Sequence, residues 1–154
     1  MSPGPRTPLG RITATSAPAA VMLLRLAVGG VFLSEGIQKF LFPNQLGAGR
    51  FADIGLPAPH LLAPFVGAVE IGCGILVLVG LATRLAAAPL IADMIVAIAT
   101  TKIPILVERG PWAMAHESRT DYAMLLGAVF LLLAGAGPLS IDAKLAAADR
   151  ARRG

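Results

Sequence analysis

LLAPFVGAVEIGCGILVLVGL, residues 61–81, carries a single charged residue, Glu70, near its middle. An apolar run of about 20 residues is what a helix needs to cross a bilayer. An ionisable side chain at mid-bilayer costs at least about 2.5 kcal/mol even on insertion scales. Working outward, three more apolar stretches occupy residues 19–41, 85–103 and 122–138, with Glu35 and Asp93 inside two of them and Asp121 at the edge of the last. One embedded acid could be an accident of packing. Three in a chain of 154 residues imply a polar site enclosed by the helices.

The bulk composition agrees. The chain is 56% hydrophobic and 14% charged, with mean hydropathy +0.75, whereas soluble domains are about 25% charged. The expected fold class is all-α, an integral membrane bundle of four transmembrane helices over residues 19–138. Residues 1–18, rich in Pro, Ser, Thr and Gly, read as a disordered tail, and residues 139–154 as a basic tail. The net charge of +4 would suggest nucleic acid in a soluble protein, but the positions argue otherwise. Arg6 and Arg11 precede the first span, Arg84 lies between the second and third, and Lys144, Arg150, Arg152 and Arg153 follow the fourth. The other connections hold Arg50, Arg109 and Arg119. This bias places both termini and the Arg84 turn in the cytoplasm. The basic tail is a topology signal that can also touch anionic lipid. Arg25 interrupts the first apolar stretch, and Glu35, Gln38 and Lys39 follow, which argues against a cleaved signal peptide.

Several chemistries are excluded by what the chain lacks. Cys73 is the single cysteine, so no internal disulfide or dithiol exchange exists. His60 and His116 fall in loops, which leaves no buried pair for haem or copper and no expected metal site. No Gly-rich phosphate loop or G-x-S-x-G elbow is present.

Helical spacing sorts the polar residues onto faces. Arg25, Gly29, Phe32, Gly36 and Lys39 form a stripe on the first span; Gly67, Glu70, Ile71 and Gly74 share a face of the second. Asp93, Ala97 and Thr100 share a face of the third, and Asp121, Leu125, Ala128 and Leu132 of the fourth. Charged residues in membranes face the bundle interior, so these stripes should converge. At about 1.5 Å per residue, Glu70 and Asp93 fall near the midplane. Glu35, Gln38, Lys39, Lys102 and Asp121 fall in the outer half, and Arg25 falls towards the cytoplasm. Glu35 and Lys39 stand at i,i+4 and could form a local ion pair; Glu70 has no partner within its own span. Arg25 can either snorkel to head groups or be buried. Candidate proton-handling groups are Glu70, Asp93 and Glu35, and candidate substrate-binding groups are Arg25, Lys39 and Gln38. Between the spans, residues 45–56 suggest a short interfacial helix, Pro104 closes the third span, and Trp112 is an interface anchor. Ala68 with Gly72, and Ala123 with Gly127, offer close-packing faces for a homo-oligomer.

The ordered set Arg25-Leu26-x-x-Gly29-x-x-Phe32-x-x-x-Gly36-x-x-Lys39, Phe51-x-x-x-Gly55-Leu56-Pro57, Gly67-x-x-Glu70-x-x-x-Gly74 and Gly80-Leu81-x-Thr83-Arg84 resembles the DoxX family over residues 23–142. The resemblance implies a four-helix protein of the bacterial inner membrane. Relatives include a subunit of a thiosulfate:quinone oxidoreductase and members associated with superoxide dismutase and a sulfurtransferase. It therefore implies a membrane subunit of a sulfur- or thiol-linked redox system passing electrons and protons to quinone, with no covalently bound cofactor. Two alternatives stay open: a non-catalytic anchor for soluble redox enzymes, and a proton-coupled small-solute transporter.

Overall fold

The computed structural model describes residues 18–152; the expected disordered tail, Pro18 apart, lies outside them, as does Arg153. Among the described residues seven helices follow in order: α1 (Val21–Leu41), α2 (Ala48–Asp53), α3 (Pro59–Val79), α4 (Thr83–Arg109), α5 (Pro111–Glu117), α6 (Arg119–Ala134) and α7 (Ile141–Ala151). No strand occurs among the described residues. Three helices, α1, α3 and α4, are long and apolar enough to cross a membrane. Residues such as Leu23, Leu41, Leu61, Phe65, Leu126 and Leu133 stand 62–76% exposed. An apolar surface of this extent belongs in lipid rather than water.

Three expected boundaries change. Pro104 does not close the third span, because α4 runs through it to Arg109. A proline removes one helical N–H, here the donor to Thr100 O, and a transmembrane helix tolerates such an interruption. The Thr100 and Thr101 hydroxyls bond back within the helix, to Val96 O and Ala97 O at 2.8 and 2.6 Å, so neither exposes an unpaired donor. The fourth apolar stretch, expected at 122–138, becomes the 16-residue α6, about 24 Å long at the helical rise and shorter than the roughly 30 Å hydrocarbon core. The stretch after Pro138, expected as a basic tail, forms the 11-residue α7, capped by the Ser140 hydroxyl accepting from Ala143 N–H.

The bundle has a solid half and a hollow half. Val21, Val28 and Phe32 of α1 meet Val77 of α3, Ala86, Ala87 and Leu90 of α4, and Ala128 and Leu131 of α6 in one buried core. Most of these lie towards the end where α1 begins and α3 passes into α4; Phe32, midway along α1, separates that core from the cavity. The opposite half encloses a cavity.

A polar clasp closes the solid end. Arg25 is 3% exposed and donates to four carbonyls: Val77 O at 2.9 Å, Leu78 O at 2.6 Å, Leu139 O at 2.6 Å and Ala136 O at 3.2 Å. It thus supplies a donor to Leu78 O at the last turn of α3, adds a second to Val77 O, which also accepts from Gly80 N–H at 3.2 Å, and ties both to the link before α7. Gly80 turns the chain at φ 69°, and a side chain there would collide with Ser140 and the Arg25 guanidinium. Asp142, 1% exposed, completes the clasp. Its oxygens accept from Ala82 N–H at 2.8 Å and Thr83 N–H at 3.0 Å, and its own N–H donates to Gly80 O at 2.9 Å. A carboxylate from sixty residues away thereby caps α4 and holds Ala82 in the left-handed region, φ 47°.

Candidate functional site

The seam between α1 and α3 is made of glycine. A methyl group built on Gly36 would lie 2.7 Å from Gly67 O and 2.9 Å from Ile71 N; one on Gly29 would lie 2.8 Å from Gly74 O. Seven-residue spacing on each antiparallel helix brings the two backbones into contact twice, the close approach that small residues permit. Lys39 and Glu70 stand one turn to either side of the Gly36–Gly67 contact, and their side chains meet across it at 2.6 Å, Nζ to Oε2, with 12% and 3% of each exposed. Oε2 receives no directed hydrogen bond among the described residues, so the contact is an ion pair. Gly36→Ala should therefore cost about 1–3 kcal/mol through overpacking against backbone that cannot rotate away. Gly30→Ala and Gly72→Ala, with nothing within 4 Å of the added carbon, should be neutral or stabilising. Thermal midpoints of the three variants in one detergent test this, and equal midpoints would rule out the glycine seam as a determinant.

This pairing corrects the local expectation. Lys39 bonds across helices to Glu70 rather than one turn back to Glu35. Asp93 of α4 brings its carboxyl against that of Glu70, and Glu35 is near enough to act on Asp93 electrostatically. Asp93 Oδ2 is buried and without a hydrogen-bond partner among the described residues. Glu70 and Asp93, from α3 and α4, thus stand together with the Lys39 ammonium, and Glu35 of α1, itself exposed, lines the same cavity.

The cluster lies in the wall of a cavity of about 630 Å³. Phe32, Pro89, Met94 and Met124 line its inner part; Val66, Val69 and Ala97 line its sides; Leu46, Phe51, Ile54 and Leu56, from α2 and its flanks, close over it. The segment expected to lie at the interface therefore roofs the site, with Phe51 buried. A second ion pair, Lys102 with Asp121 at 3.3 Å, lies in the same lining, as do Arg50, Thr100 and Thr101. A largely apolar hollow with a few convergent polar groups is the form of a small-molecule site.

Of the predicted site residues, the fold brings together Glu70, Asp93, Glu35 and Lys39. Arg25 is not among them. It is buried at the opposite end, committed to the clasp, and neither snorkels nor reaches the cavity. Gln38 is also apart: its amide bonds to Ser34 Oγ at 2.9 Å, and it does not line the hollow. Sequence reasoning missed Arg50, an exposed residue of α2 whose place in an interfacial segment concealed that it borders the hollow. It also missed Asp142, for which the only local signal is the Ser140 cap.

Comparison with known proteins follows the same outline. Residues 20–103 match the DoxX family model. The chain is 52% identical over 141 residues to "Uncharacterized membrane protein Rv3486" of Mycobacterium tuberculosis, covering 88% of this chain and 86% of that one. It is 33% identical over 122 residues to "Putative oxidoreductase CatD" of Bacillus subtilis, covering 79% and 83%. No solved structure matches it. The glycine seam, Arg25, Lys39, Glu70 and Asp93 all fall inside the matched segment, and this membrane protein belongs to the DoxX family.

Proposed function

We propose that the cavity binds a quinone and that the protein is the membrane subunit of a redox system that reduces it. The observation that carries this reading is the pairing of an apolar hollow of about 630 Å³ with a cluster in its wall of buried Glu70 and half-buried Lys39 and Asp93. A quinone head group needs apolar walls for its ring and tail, and hydrogen-bonding groups at its carbonyl oxygens. Two-electron reduction also consumes two protons, and adjoining carboxyls beside an ammonium are suited to delivering them. Lys39 would orient one carbonyl oxygen; Glu70 and Asp93 would pass protons, with Glu35 and Asp121 resupplying them. The oxidoreductase name carried by CatD supports the redox character. With one cysteine in the chain, the electrons come from a separate donor, a reduced sulfur compound or a soluble redox enzyme docked on the membrane. In this reading the clasp end faces the cytoplasm, as the basic residues require, and the cavity lies in the outer half of the bilayer.

The test is a titration of detergent-purified protein with a fluorescent quinone analogue, wild type beside Glu70→Gln. Saturable binding that weakens about tenfold or more in the variant, a loss of at least about 1.4 kcal/mol, is the expected result. Absence of saturable binding to folded wild-type protein would overturn the proposal.

A further inference from the structure

The last helix presents a face that neither the cavity nor the clasp uses. Asp142 fixes one side of α7 against the α3–α4 turn, with Ala143, Ala146 and Asp149 half-buried beside it. On the outward side Ile141, Lys144, Leu145, Ala148 and Arg152 succeed one another at spacings of three and four, and all are exposed. Arg150 flanks them, also exposed, and Leu139, just before the helix, is 57% exposed. A helix facing water presents charges outward and keeps its apolar residues inward. Here the outward face mixes branched apolar residues with cations, and no exposed acid of α7 balances them. That composition belongs to a helix lying in the plane of a bilayer surface, apolar residues among the acyl chains and basic residues at the phosphates.

Position argues the same way. The Asp142 bonds to Ala82, Thr83 and Gly80 place the start of α7 where α3 ends and α4 begins. Both of those helices are long enough to cross the membrane, so their shared end marks its boundary. A helix tethered there has the lipid head groups as its neighbours. We infer that α7 is a binding site for anionic lipid head groups, with Ile141 and Leu145 inserted and Lys144, Arg150 and Arg152 on the phosphates. This is independent of what the cavity binds. Because Asp142 caps α4 from the first turn of α7, the same contact also holds the clasp closed.

The full-length protein would be placed in nanodiscs of phosphatidylcholine alone and of equimolar phosphatidylcholine and phosphatidylglycerol, and amide hydrogen exchange followed peptide by peptide. The expected result is a severalfold slowing of exchange across α7 in the anionic discs and none in the middle of α3. High salt should remove the difference, since surface charge attraction is screened. The triple variant Lys144→Gln, Arg150→Gln, Arg152→Gln should lose the lipid dependence while α3 exchanges as in wild type. Equal α7 exchange in the two wild-type discs at low salt would overturn the inference, and so would the same slowing by inorganic phosphate in neutral discs. The salt arm uses unaltered protein, so the outcome does not depend on the variant folding.

Discussion

Arg25→Met should abolish accumulation of folded protein. The guanidinium donates to four carbonyls on two separate segments; Val77 O keeps the Gly80 N–H, and each buried carbonyl left without a donor costs about 1–3 kcal/mol. Natural domains are stable by only about 5–15 kcal/mol in total, so losing several of these bonds together removes most of the margin. Arg25→Lys should fare little better, because an ammonium lacks the planar fork that reaches both segments at once. The measurement is the yield of monodisperse protein on size exclusion in mild detergent, with the thermal midpoint of whatever survives. A methionine variant with wild-type yield and midpoint would show that the clasp contributes nothing to stability.

Lys39→Met is the second large effect, and its partner substitution separates stability from binding. The single change leaves the Glu70 carboxylate 3% exposed and without its cation, a loss that runs to about 3–5 kcal/mol for a buried pair. Replacing both partners, as in Lys39→Met with Glu70→Leu, removes the uncompensated charge, and such swaps are often neutral or stabilising by about 1–4 kcal/mol. The double variant should therefore recover its thermal midpoint and still fail to bind the quinone analogue. If it melts as early as the single variant, the pair is not the reason for the instability. If it binds like wild type, the proposed role of Glu70 is wrong.

What was legible in the sequence follows from which contacts are local. The long apolar runs of α1 and α3 announce themselves, and the Gly67, Glu70 and Gly74 face can be read from spacing alone. The partner of Glu70 cannot, because Lys39 belongs to another helix and has a competing acid one turn away, Glu35. The choice between them is settled by the glycine seam, a contact between backbones. Arg25 was equally suited by sequence to the head groups or the interior; only the fold shows four carbonyls waiting for it. Pro104 signalled a helix end, but α4 runs on through it to Arg109, at the loss of one backbone donor. Asp142 lay in a stretch whose composition reads as a solvated tail, and its three bonds are all to residues about sixty positions earlier.

The glycine seam has a consequence for motion. Where two helix backbones touch with no side chain between them, no rotamer can change to let one slide past the other, so α1 and α3 behave as a single stiff plate. Lys39 and Glu70 ride on that plate at a fixed separation. The facing wall is different: α4 carries prolines at 89 and 104, both interrupting its hydrogen-bond ladder, and between Pro89 and Lys102 it borders the hollow with no glycine contact to the plate. Any swelling or shrinking of the cavity around a guest therefore falls to α4. The quantity that occupancy can alter is the distance of Asp93 from a stationary Glu70, which makes the third helix of the cluster the one able to connect or disconnect its two acids.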